Sequence, residues 1–105
     1  MIEHVVLFKL RPEVDGKKLE WMMRETRLRL LKIPSVLALR SGRSLDPCSE
    51  WDFFVSVSLD SDERLASYSL DPIHTRFVDD VIEPNTCGRL AMSFQPDPGE
   101  NPLLA

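Results

Sequence analysis

Cysteine is scarce in this chain and long apolar runs are missing, and each shortage removes a class of protein. Two cysteines, Cys48 and Cys87, stand among 105 residues. They fit no metal-ligand spacing and lack the density of a secreted disulfide scaffold, so free thiols in a reducing compartment are expected. No apolar stretch reaches the roughly 20 residues of a membrane-spanning helix, and no membrane partner is expected. The first residues run straight into an apolar alternation, without a basic leader or a small-residue cleavage site, which gives a cytoplasmic expectation. Positive charge is in the minority: 13 Lys and Arg against 17 Asp and Glu leave a net charge of −4. That balance argues against a surface tracking nucleic-acid phosphates. The cluster Arg24, Arg27, Arg29 and Lys32 therefore reads as a solvated helix face. No internal repeat is visible.

Apolar residues make up 43% of the chain and charged residues 29%, the balance of one globular domain with a single core. Ile2 to Leu10 alternate, with Ile2, His4, Val6, Phe8 and Leu10 on one face and Glu3, Val5, Leu7 and Lys9 on the other. Both faces are apolar, so both must be covered: one by helices, the other by a second subunit. After Pro12, Asp15 can cap a helix carrying Leu19, Met22, Met23, Thr26, Leu30 and Ile33 at steps of three and four, about five turns long, which Pro34 ends. Val36 to Ser44 alternate again. Asp46-Pro47 lies in a loop, and a third strand places Trp51, Phe53, Val55, Val57 and Leu59 on one face against Asp52, Phe54, Ser56 and Ser58.

Asp60 with Glu63 resembles a capping box opening a short helix with Leu65, Ala66 and Tyr68. Asp71-Pro72 ends it and starts another, since Asp suits the N-cap and Pro the first helical position. That helix carries Ile73, Phe77, Val78 and Val81 and stops near Pro84. A last strand from about Thr86 to Gln95 has Leu90, Met92 and Phe94 on one face. Pro96, Pro98, Gly99 and Pro102 then describe an irregular tail, so residues 1–95 form the domain and 96–105 the tail. The order β-α-β-β-α-α-β is a split βαβ arrangement: an α+β, ferredoxin-like antiparallel sheet with helices on one face. Pairing two sheets into a dimeric α/β barrel is the simplest way to bury Val5, Leu7 and Phe54.

The chain has two histidines and one tyrosine. His4 points toward the helices with Val6 and Phe8, as a satisfied core residue or as part of a site. His74 is third in the helix that Asp71 caps, where free N–H groups and the helix dipole disfavour an added proton. It is either a solvent-facing residue or a neutral general base. Tyr68, six residues earlier across the helix break, is a packing residue or a donor to a carbonyl in the same opening.

Three segments together are more specific: His4-Val-Val-Leu-Phe-Lys9, Ile33-Pro34, and Tyr68-Ser-Leu-Asp-Pro-Ile-His74-Thr-Arg-Phe77. Over residues 2 to 95 the chain resembles the stress-responsive A/B barrel (Dabb) family, whose members are ferredoxin-like and dimerise through their sheets. The resemblance implies a homodimer with a pocket for a small apolar or carbonyl ligand. It extends to the olivetolic acid cyclase type, which closes a linear polyketide by intramolecular aldol condensation without a metal. It then implies His74 as the catalytic histidine, Tyr68 as the tyrosine that orients substrate, and His4 as a histidine of the same cavity. Val6, Met22, Met23, Thr26 and Val55 match its pocket wall in position, with Phe8 beside them on the strand. Met22, Met23 and Thr26 stand where the cyclase has aromatic residues, and Asp71 where it has a further histidine. No cofactor is implied. Some plant relatives hold magnesium through backbone carbonyls, here around Ile33 and Val36, but the expectation for this chain is no metal. Two functions stand: a cofactor-free lyase or cyclase acting on a small carbonyl or polyketide-like compound, or a stress-responsive dimer that binds a ligand without turnover. A third borrows from cofactor-independent monooxygenases, which share the barrel but lack these histidines.

Overall fold

The computed structural model describes residues 1–97. Strand β1, Ile2–Leu10, is followed by helix α1, Gly16–Leu30, and strands β2, Ala38–Arg43, and β3, Phe53–Leu59. Helices α2, Asp62–Leu70, and α3, Pro72–Phe77, come next. A wide π-turn over Val78–Ile82 extends α3, and strand β4, Thr86–Phe94, closes the domain. The sheet order is β2-β3-β1-β4 and each adjacent pair is antiparallel. This is the ferredoxin-like order expected from the split βαβ pattern. Residues of the irregular tail beyond 97 lie outside the described residues.

Register fixes which side chains share a face. Val6 lies opposite Val55 and Ala91, and Phe8 opposite Phe53 and Arg89, on the side facing the helices. Leu7 lies opposite Phe54 and Leu90, and Val5 opposite Ser56 and Met92, on the outer side. Leu90 and Phe94 on that outer face remain exposed. Gly42 pairs with Phe54 and lets its ring lie close over the backbone: a Cβ there would stand 2.9 Å from Phe54 Cε1.

Helix α1 starts as its sequence signals, with Asp15 accepting a 2.8 Å hydrogen bond from the Lys18 amide. It ends at Leu30, a turn before Pro34. The backbone then winds down through i to i+3 bonds, Lys32 N to Arg29 O and Ile33 N to Leu30 O, because a residue before proline is pushed out of the α region. Ile33 is still buried. Helix α2 begins one residue later than the Asp60 capping box implies: Ser61 is the cap, accepting from the Arg64 amide. The hydroxyl has the same capping reach, one position on.

Met22 and Thr26 are completely buried and Met23 packs at the edge of the core. The Thr26 hydroxyl donates to the Met22 carbonyl at 2.7 Å, so its polar atom is spent within the helix. With no exposed surface and a full set of apolar neighbours, Met22 is a packing residue. Met22→Ala should lower stability by about 2–5 kcal/mol, or more than about 8 °C in melting temperature for a domain of this size. A thermal melt checks it, and a loss under about 2 °C would contradict the packing.

Candidate functional site

A cavity of about 250 Å³ opens between the sheet and the α2–α3 corner. Its floor is His4, Val6 and Phe8 from β1, Val55 from β3, and Arg89 and Ala91 from β4. Tyr68, Ser69, His74 and Phe77 come from the two helices, and Val78 and Ile82 from the π-turn. Six of the residues singled out from the sequence therefore converge: His4, Tyr68, His74, Val6, Phe8 and Val55. Met22, Met23 and Thr26 do not line this cavity. Helix α1 packs over β2 and against α3, so these side chains fill the core beneath the helices while the opening lies toward β4.

The Asp71-Pro72 break brings tyrosine and histidine together. Asp71 accepts from the Ile73 amide at 2.8 Å, and its own amide donates to the Tyr68 carbonyl at 3.2 Å. The chain turns sharply there and brings the Tyr68 and His74 rings together, tilted at 52° with centroids 4.6 Å apart. His74 Nδ1 lies 3.2 Å from the Ser69 carbonyl oxygen. A carbonyl can only accept, so Nδ1 carries the proton of the neutral ring and Nε2 keeps its lone pair. His4 Nδ1 lies 2.8 Å from Ser93 Oγ, a partner that can give or take a proton.

Burial holds the pKa of both histidines below 6.5, and for His74 the nearby His4 and Arg89 push the same way, against the Ser69 hydrogen bond and Asp71. The direction for His74 is the one its place in the helix led us to expect, but desolvation is the first cause. Burial pushes the Tyr68 phenol well up, so it stays a proton donor at any neutral pH. The arrangement can thus present a base nitrogen and a hydroxyl donor to one small molecule.

Sequence reasoning missed Ser69, Ser93 and Arg89. Arg89, Ala91 and Ser93 are the opposite phase of the Leu90-Met92-Phe94 alternation, and that phase was the available signal. Small residues at Ala91 and Ser93 leave room above β1.

A wider depression of about 640 Å³ at the Leu10 end of β1 is lined by Arg11, Arg43, Asp46 and Asp52 among others. Its charges are engaged. Arg11 donates to the carbonyls of Thr86 and Glu83, Arg43 pairs with Glu20, and Asp52 accepts from the Leu10 amide. Among the described residues no three His, Cys, Asp or Glu side chains gather as metal ligands. The Ile33 carbonyl accepts from the Val36 amide.

Residues 2–96 match the family model described as Stress Responsive A/B Barrel Domain. The chain belongs to this family. No curated protein matches it in sequence. Among solved structures, a Dabb family protein with a ferredoxin-like fold from Mesorhizobium loti is 22% identical, covering 90% of this chain and 95% of its own, with a TM-score of 0.80. A dimeric ferredoxin-like protein from Thermobifida fusca is 24% identical over 89% of this chain and 88% of its own, TM-score 0.79. A hydroxynitrile lyase from Passiflora edulis is 12% identical over 95% and 96%, TM-score 0.78. These likenesses show that this A/B barrel chain shares their fold.

The depressed histidine pKa values fix a sign for stability. Between the folded values and the unfolded value of ~6.5, the unfolded chain binds protons that the folded chain refuses, so stability is fully present above ~6.5 and is lost as pH falls through the folded values. Melting temperature should drop from pH 7.5 to pH 5.5, and the double variant His4→Gln, His74→Gln should flatten that slope. An unchanged slope in the double variant would assign the effect to other groups.

Proposed function

We propose that this A/B barrel protein is a cofactor-free lyase or cyclase that moves a proton on a small carbonyl compound, polyketide-like or phenolic, and that it works as a homodimer closed through the outer sheet face. His74 is the general base. Tyr68 donates to the carbonyl oxygen, and His4 is a polar wall able to relay the proton. The observation that carries this reading is the Ser69 carbonyl holding His74 Nδ1, which leaves Nε2 as the basic atom of a ring 4.6 Å from the ring of a protonated phenol in the same cavity.

The chemistry follows from those two atoms. Nε2 takes the proton from the carbon next to the substrate carbonyl, and the electron pair moves onto the carbonyl oxygen, where the phenol of Tyr68 stabilises the developing charge. The enolate carbon attacks a second carbonyl of the same molecule, and the alkoxide formed there recovers the proton from the imidazolium. Bond cleavage is the reverse sequence. The Passiflora neighbour is a lyase, so this fold is compatible with such a site.

Exposed Leu90 and Phe94 beside Val5, Leu7, Phe54 and Met92 support the dimer, as does the dimeric state of the Thermobifida protein. Glu3 lies on the same face but accepts from Ser56 Oγ at 2.6 Å and Ser58 Oγ at 2.7 Å, with its pKa held down chiefly by Ser56. A carboxylate so satisfied can be covered at a smaller cost than a bare one. The second reading, a ligand-binding dimer without turnover, draws on the apolar wall of Val6, Phe8, Val55, Phe77, Val78 and Ile82.

Deuterium exchange from solvent into the α-carbon of aryl ketones such as acetophenone, followed by NMR, separates the two. Acceleration over buffer supports the base. Ligand binding with exchange at the buffer rate would leave the binding protein.

A further inference from the structure

Arg89 brings a full positive charge to a cavity whose wall, among the described residues, carries no acidic side chain. The twelve lining residues are His4, Val6, Phe8 and nine others, and they include neither Asp nor Glu. Arg89 stands on the inward phase of β4, directly opposite Phe8 across the strand pair. Among the described residues its guanidinium makes no hydrogen bond and no ion pair, as is true of several other exposed arginines, but Arg89 is the arginine that lines this cavity. A guanidinium open to solvent on one side and bordering the cavity on the other is a stabilising partner for a ligand of opposite sign and gives nothing to one without it.

We propose that Arg89 determines substrate class: the cavity takes a small carbonyl compound that carries a carboxylate, with the carboxylate on the Arg89 guanidinium and the carbonyl between Tyr68 and His74. The inference rests on the proposed function and narrows it. A guanidinium fork offers two parallel N–H donors to two oxygens, which fits a carboxylate. It also fits a phosphate or phosphonate, but a dianion would meet only one fixed cation here. At about 250 Å³ the cavity lies below the roughly 300–1,000 Å³ of sites for drug-sized ligands. The ligand is therefore compact, and Val6, Phe8, Phe77 and Ile82 suit an aryl or alkyl body between its two polar ends. Burial is the main reason His74 resists a proton, and the charge on Arg89 adds a smaller push in the same direction. A carboxylate bound to Arg89 offsets that smaller push while the substrate is in place.

The test uses 4-oxo-4-phenylbutanoate, its methyl ester and the matching phosphonate at pH 8, with binding read by calorimetry and proton transfer by deuterium exchange beside the ketone. The acid is expected to bind at least about tenfold more tightly than the ester, the scale of one charge-assisted pair, and more tightly than the phosphonate. Arg89→Gln should abolish the acid-over-ester preference, and Arg89→Lys should keep part of it. Because Arg89 is exposed on an edge strand, neither change removes core packing. Equal binding of acid and ester to the wild-type protein, or a preference that survives in Arg89→Gln, overturns the role of Arg89. Exchange of the ester at an accelerated rate would, in that case, leave the His74 chemistry standing. A phosphonate preferred over the acid overturns the carboxylate assignment, and no binding of any of the three sinks both readings.

Discussion

His74→Gln should slow α-proton exchange in a bound ketone by about 10²–10⁴-fold, the usual contribution of a general base, while leaving the melting temperature at pH 7.5 nearly unchanged. The expectation rests on the division of labour between the two ring nitrogens. Nδ1 is tied to the Ser69 carbonyl and only Nε2 can take a proton. A glutamine cannot accept a proton at neutral pH, so the acceleration goes with the imidazole. Tyr68→Phe keeps the ring against His74 and loses only the hydroxyl donor, so it should cost less, about 10²-fold. Exchange retained in His74→Gln would move the base elsewhere, with His4 the first alternative because it lies in the same cavity.

Leu7→Asp should convert the proposed dimer to monomer or aggregate. Leu7 sits on the outer face between Phe54 and Leu90, with Val5 and Met92 next along the same face. A carboxylate there has no serine pair of the kind that satisfies Glu3, and covering it with a second sheet would strand a charge in an apolar interface, at a cost of several kcal/mol. Sedimentation at micromolar concentration reads the outcome. A wild-type chain that sediments as a folded monomer would contradict the dimer, and a dimeric Leu7→Asp variant would move the interface off this face. The cavity opens on the helix side of the sheet, so the two predictions are independent.

The sheet was legible because its strands alternate cleanly. Ile2 to Leu10 divides into two apolar phases, and that strand spans the residues its sequence pattern marks. The Asp71-Pro72 pair was equally legible, since proline at a first helical position and aspartate before it leave few other conformations. Those two features place His4, Tyr68 and His74 around one opening. The wall was harder to read. Met22, Met23 and Thr26 satisfy helical periodicity, but periodicity gives a buried face without saying whether that face meets core or cavity; α1 lies over β2, so it meets core. The π-turn at Val78–Ile82 buries Val81 and Ile82 in succession and sets Val78 and Ile82 against the ligand space, an arrangement that a 3.6-residue period does not contain. Arg89 lay in the less apolar phase of its strand, where an exposed arginine is ordinary until a cavity is seen behind it.

Titration of the two histidine ring signals by NMR, with and without 4-oxo-4-phenylbutanoate and its methyl ester, tests the shared site most directly. Both rings should titrate below the ordinary value of 6.5 in the free protein. His74 should show Nδ1–H as its neutral tautomer, and ligand should move both sets of signals together. Two histidines titrating freely at ~6.5, with neither ring responding to any ligand of the set, would mean that His4 and His74 do not share a pocket, and the catalytic and binding readings would fall together.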